Sequence, residues 1–460
     1  MLFNSYQFIA IFLPLTILGY YLLATHQALR LGWLLLASIV FYAYWDIRFL
    51  PLLLGSVLVN WVLSLYVNRS NSRILIVTGV TFNLALIGAF KYLDFFAEIL
   101  HFLFGETHAA FGWVLPLGIS FFTFQQISYL VDRSKRNAPA YPLLHYALYV
   151  TFFPQLIAGP IVRHNEIIPQ FKKSPLRPDI YHHIGAGMLL FTLGLAKKTI
   201  LADKLAETAS PLFDLAAQGD LLSFGQSWVA SAAYSLQLYF DFSGYSDMAI
   251  GLALMLGLSV PINFNAPYSA TDIRDFWRRW HMTLSRFLRD YLYIPLGGSR
   301  RGTPRLVYAL LVTMLLGGLW HGAGWTFVIW GLMHGLALMG HRIWRLSGKQ
   351  VPLVPAWIMT ALFLLFSWVM FRADGAGTAW SIWGSMLGSN GLNAGFQEDI
   401  DGIFMLFAAL LAVFGPTSQD LVQKKLRPRK AYAFATAVVL FYLTLKVASD
   451  GYTEFLYFQF

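Results

Sequence analysis

The sequence predicts an all-α polytopic membrane protein, a single integral domain over residues 1–460. Three observations predict it. Hydrophobic residues make up 57% of the chain and charged residues 12%, where an ordinary soluble domain carries about 25% charged residues. The apolar residues gather in runs close to the length of a membrane span. The basic residues cluster in short stretches between those runs, the distribution that the positive-inside rule describes for cytoplasmic loops.

The runs lie near 7–25, 31–45, 49–67, 74–93, 114–131, 184–201, 228–258, 306–320, 325–341, 355–371, 403–415 and 433–448, so about 11–12 spans are expected. The first lacks a basic start and an A-x-A-like cleavage site and reads as a retained span. Basic clusters fall at Arg69/Arg73, Arg133/Lys135/Arg136, Lys172/Lys173/Arg177, Arg342/Arg345/Lys349 and Lys424/Lys425/Arg427/Arg429/Lys430. Asp94, Glu98 and Glu106, and then Asp374, Glu398, Asp399 and Asp401, occupy the opposite loops. Lys197, Lys198 and Lys204 fit this alternation poorly. Residues 143–162 are apolar but interrupted by Pro154, Gly159 and Pro160. They read as a re-entrant element, because non-helical backbone at membrane depth persists only under protein or beside a cavity.

Composition also excludes chemistry. The chain has no cysteine, so disulfides, thiolate nucleophiles and cysteine-ligated metals are out. The net charge of +10 comes from loops between apolar helices, so nucleic acid is not an expected partner. G-x-S-x-G, H-E-x-x-H and P-loop patterns are missing, which removes serine hydrolase, zincin and ATPase readings.

The densest polar stretch runs from Asp272 to Arg305 and contains eight Arg, three Asp, one His and no Lys. It reads as an amphipathic interfacial helix with Asp272 as N-cap and Asp275 in the first turn. Trp277, Trp280, His281, Leu284 and Leu288 form its apolar face, and Asp275–Arg279 and Asp290–Arg286 are possible pairs at four-residue spacing. Its arginines either attract anionic headgroups or receive a phosphorylated or carrier-bound donor. On the second reading Arg278, Arg279, Trp280 and Arg286 line the donor side.

Helices over 306–341 then flank GGLWHGAGW, the second of the two Trp-His dipeptides. His321 ends an apolar span among glycines that permit close backbone approach. A neutral imidazole in such a place suits general-base chemistry on a hydroxyl. Asp241 and Asp247 lie inside an apolar span, where carboxylates are costly and have a functional or packing role. A structural hydrogen bond to a helix end or to an Arg is favoured over catalysis. A transporter or flippase of an acyl or lipid-linked substrate is the alternative class; it calls for repeats and midplane ion sites.

NFNAPYSATDIRDFWRRWHMTLSRFLRDYLYIPLGG, GGLWHGAGWTFVIWGLMHG and the terminal FLYFQF resemble the membrane-bound O-acyltransferase (MBOAT) family. QLYFDFSGYSDMAIG and MLFNSYQFI extend the likeness over nearly the whole chain. Within the family the likeness is strongest to the bacterial alginate O-acetylation branch. The resemblance implies a ring of helices around a central cavity, with His321 catalytic and His281 supporting it. It implies an acyl thioester such as acetyl-CoA as cytoplasmic donor, with no tightly bound cofactor and no metal. It implies a hydrolase-like periplasmic partner protein, a bacterial inner-membrane location and an exported polysaccharide as final acceptor. Peptidoglycan or cellulose O-acetylation, or D-alanyl transfer, are the alternatives on the same fold.

Overall fold

The computed structural model describes residues 1–70, 73–105, 111–300, 302–393, 401–422, 430–451 and 453–456, with the backbone alone at 68–70. Glu106, Arg301, Glu398, Asp399, Lys424, Lys425, Arg427, Arg429, the side chain of Arg69 and the last four residues of FLYFQF lie outside the described residues. All twelve apolar runs are helical, and no strand occurs among the described residues.

Six helices are long and apolar enough to cross a membrane among the described residues: Ile47–Val67, Arg73–Phe104, Ile180–Ala217, Thr303–His321, Leu353–Arg372 and Lys430–Asp450. Phe8–Leu22, Gln27–Ala43 and Gly402–Phe414 are shorter apolar helices. Exposed Phe102, Ile403 and Phe434 are faces that suit lipid and not water. The remaining runs form Ile119–Ser134, Phe224–Met255 and Trp325–Leu346. The first of these buries Gln125 and Gln126, and the second buries Asp241 and Asp247. Helices screened from lipid by protein tolerate such groups, which is why their hydropathy is lower.

The chain packs as two compact units. The first comprises Met1–Leu195, Tyr245–Ile262 and Val422–Glu454. Phe3, Phe8, Phe41 and Phe153 form an aromatic knot there, with ring centroids 5.0–6.2 Å apart. The interrupted segment is two short helices, Leu143–Thr151 and Phe153–Leu156, followed by a turn over 157–159 that leads into Pro160. It is buried by protein from Tyr146 to Val162. Gly159 permits the turn, since a Cβ there would lie 2.6 Å from the Gln155 Cα.

The second unit comprises Ala196–Gly244, Asn263–Leu421 and Phe455–Phe460. Its centre is a hairpin of two helices, Thr303–His321 and Trp325–Leu346. Pro304 in the first turn suits the helix start, where its missing N–H is no loss. The two helices touch backbone to backbone: a Cβ at Gly318 would collide with the Phe327 carbonyl, and one at Gly331 with the Met314 carbonyl.

One expectation changes in this unit. The amphipathic helix from Asp272 is not continuous but breaks into Ile273–Arg279 and Met282–Leu288. His281 takes a left-handed conformation, φ 42° and ψ 53°, rare for a residue with a Cβ. The break is held from outside the helix: Asn265 N–H donates to the Arg279 carbonyl at 2.9 Å, and Met282 N–H to the Asn263 carbonyl at 2.9 Å. The poor fit of Lys198 to the loop alternation also finds its reason here: its side chain is buried inside the unit. Lys198 lies in the π-helical turn Lys197–Ala202, inside the helix that runs from Ile180 to Ala217.

Candidate active site

His321 is the last residue of the helix Thr303–His321, and extended Gly322 stops the helix immediately after it. Its ring sits edge-on to Trp330 at 5.3 Å and to Phe371 at 5.3 Å, and Trp320 is 4.9 Å away. Trp280, Trp330, Trp368 and Phe371 wall a chamber of ≈ 20 Å³ that His321 also lines, room for about one water-sized group. An imidazole here meets apolar rings on most sides and a small void on the other. This is the environment in which a neutral histidine accepts a proton without competition from bulk water.

Among the described residues, the one carboxylate lining the chamber is Asp241. It does not pair with the Arg-rich stretch; Lys198 lies 2.9 Å from it, and the backbone N–H of Leu456 donates to it at 3.0 Å. Asp203 lies 2.8 Å from the same ammonium. The partners of Asp241 are thus Lys198 and the backbone of Leu456. Spacing gave no sign that this carboxylate and His321 share a cavity.

His281 is fully buried behind the chamber, 4.8 Å from Phe242 and 6.1 Å from Trp320 by ring centroids. Its Nδ1 is 3.1 Å from the Asn263 Oδ1, which also accepts from the Thr283 N–H at 3.2 Å and the Thr283 hydroxyl at 2.8 Å. An atom that accepts a backbone N–H is an oxygen, so Nδ1 of His281 carries the proton. Burial pushes this imidazole down from 6.5 to about 3; it is neutral, and its unprotonated Nε2 is buried without a hydrogen-bond partner. The sequence contained Asn263, in NFN, but no spacing rule tied it to His281.

A second, larger cavity of ≈ 220 Å³ lies among the Arg-rich helices. Arg274, Arg278 and Arg289 rim it, and Trp277, Ser285, Leu310, Thr313 and Met314 line it. The Thr313 hydroxyl is buried there without a partner. Of the four residues expected on the donor side, the cavity gathers Arg278. Trp280 instead faces the His321 chamber. Arg279 is held by Asp275 at 2.8 Å, and Arg286 is not among the lining residues. Asp272 caps its helix as expected, accepting from Asp275 N–H at 2.8 Å. Asp290 lies 2.6 Å from Arg289. Leu310, Thr313 and Met314 lie two to three turns before His321 on the same helix, about 11–17 Å along its axis. One helix thus links the two cavities.

Comparison with known proteins gives a consistent set. The profile described as MBOAT, membrane-bound O-acyltransferase family, matches residues 113–376. The chain is 43% identical over 85% of its length to a peptidoglycan O-acetyltransferase of Helicobacter pylori, covering 81% of that protein. It is 36% identical, over the full length of both chains, to a probable alginate O-acetylase of Azotobacter vinelandii. A teichoic acid D-alanyltransferase of Streptococcus thermophilus is 27% identical over 51% of the chain and 59% of that protein.

Proposed function

The chain belongs to the membrane-bound O-acyltransferase family, and from that membership we propose that it moves acetyl groups from a cytoplasmic thioester across the inner membrane for O-acetylation of an exported polysaccharide. It is a multi-pass membrane acyltransferase, so the transporter reading gives way. The proposal is carried by one observation. His321, in its aromatic chamber, ends the helix whose earlier turns line a cavity rimmed by arginines.

Arg274, Arg278 and Arg289 suit the phosphates of acetyl-CoA or of a carrier-bound thioester, since guanidinium groups bind phosphate oxygens in pairs. His321 takes the proton of the attacking hydroxyl or carries the acetyl group briefly, and His281 supports it. The hydroxyl belongs to the polymer or to a periplasmic partner that relays the acetyl group. An alginate-type polymer is supported by a relative that matches end to end. Peptidoglycan is the second reading, supported by the relative at 43% identity.

The test is His321→Ala in the native host, with ester-linked acetate measured in the isolated exopolysaccharide and in the peptidoglycan. The expected result is normal insertion with acetylation lowered about 10²–10⁴-fold, in whichever polymer the wild type modifies. Unchanged acetylation in both polymers would overturn the reading.

A further inference from the structure

Trp277 is in contact with the walls of both cavities. Its side chain lines the larger one. It also meets Trp330, a wall of the His321 chamber, with ring centroids 5.9 Å apart and the planes near perpendicular. One polar contact fixes the indole: its Nε1–H donates to Nδ1 of His334 at 3.2 Å. An indole nitrogen is only a donor, so His334 Nδ1 is the acceptor and Nε2 carries its proton. His334 is fully buried, packed 4.5 Å from Trp330 and 5.1 Å from Phe363 by ring centroids. It is therefore locked in the tautomer opposite to that of His281.

We propose that His334 is a positioning residue: through the Trp277 hydrogen bond it holds the indole as the partition between the Arg-rimmed cavity and the His321 chamber. With the bond made, the indole cannot turn, and Trp277 and Trp330 stay edge to face across the wall. With the bond broken, nothing polar holds the ring. The proposal rests on the donor-cavity reading above only for what passes the partition; the partition itself is a matter of access.

That access is measured directly, because the chain has no native cysteine. Ser285→Cys reports the larger cavity and Leu238→Cys the chamber. Each is placed in membrane vesicles with the Arg-rich face outward and treated with a small anionic methanethiosulfonate. Ser285→Cys is expected to react in every background. Leu238→Cys is expected to react slowly with His334 present and about three- to tenfold faster in His334→Ala, the equilibrium worth of one buried hydrogen bond.

His334→Asn keeps an acceptor near the Nδ1 position and should stay slow. Trp277→Phe keeps a ring and loses the N–H, and should be fast; it decides the matter if His334→Ala does not fold. Equal Leu238→Cys rates in Trp277→Phe and the parent, or His334→Asn as fast as His334→Ala, would overturn the proposal. Acyl transfer is not needed for any of these readings, so failure of the donor reading shows separately, as absent thioester turnover with the labelling pattern intact.

Discussion

Asn263 Oδ1 and His281 Nδ1 lie 3.1 Å apart, and the same oxygen accepts both the N–H and the hydroxyl of Thr283. Three donors converge on one acceptor at the point where the chain turns left-handed between two short helices. The bond keeps the His281 proton on Nδ1 and turns its free lone pair away from Asn263.

Asn263→Ala strands those donors, at a cost of about 1–3 kcal/mol for each buried group left unmade. If His281 supports His321, a ring released from its place lowers turnover by up to about 10²-fold. Asn263→Asp accepts the same three donors and adds a negative charge, which favours the protonated imidazole. The expected outcome is a folded protein whose acid limb moves to higher pH, read from a pH profile of acyl transfer in proteoliposomes.

The neutral His281 also sets a pH dependence of stability. Its folded value is depressed to about 3 from 6.5, so between those values the unfolded chain binds the proton and the folded chain does not. Stability is therefore complete above pH 6.5 and falls as pH drops, by up to about 1.4 kcal/mol per unit. Thermal unfolding in detergent at pH 7 and pH 5 should show this loss, and His281→Asn should remove that part of the slope.

Arg278 and Arg279 are neighbours with different surroundings. Arg278 rims the larger cavity, while Arg279 is engaged by Asp275. Arg278→Gln should raise KM for a phosphate-bearing thioester about three- to tenfold with kcat held. Arg279→Gln should leave KM unchanged and cost less than about 1 kcal/mol of stability, because its ion pair is partly exposed. Initial rates against donor concentration separate the two.

Lys198 and Asp241 are both almost wholly buried, and their charged atoms are 2.9 Å apart. Lys198→Met leaves a carboxylate uncompensated and should destabilise by about 3–5 kcal/mol. Adding Asp241→Leu should recover most of that loss, since a buried pair replaced as a unit by apolar groups is close to neutral. Unfolding temperatures of the single and double variants give the comparison.

The helical membrane fold was legible in the sequence because a bilayer demands long apolar runs with internally satisfied backbone, and such runs leave a one-dimensional trace. All twelve runs are helices, and Pro154, Gly159 and Pro160 marked the interrupted segment. The two Trp-His dipeptides and the arginine stretch were equally visible, because rare residue types stand out in an apolar chain. Tertiary structure alone decided the rest. The Asn263 loop splits the helix at His281 by hydrogen bonds to residues 14–20 positions away, which no local periodicity encodes. Lys198 fitted the alternation of loop charges poorly, and the reason showed only when Asp241 and Asp203 were brought beside it. The aromatic walls at Trp330, Trp368 and Phe371, and the indole of Trp277 held by His334, are drawn together from three helices. Side chains that meet across helices are chosen by packing, so their partnership exists only once the helices are in contact.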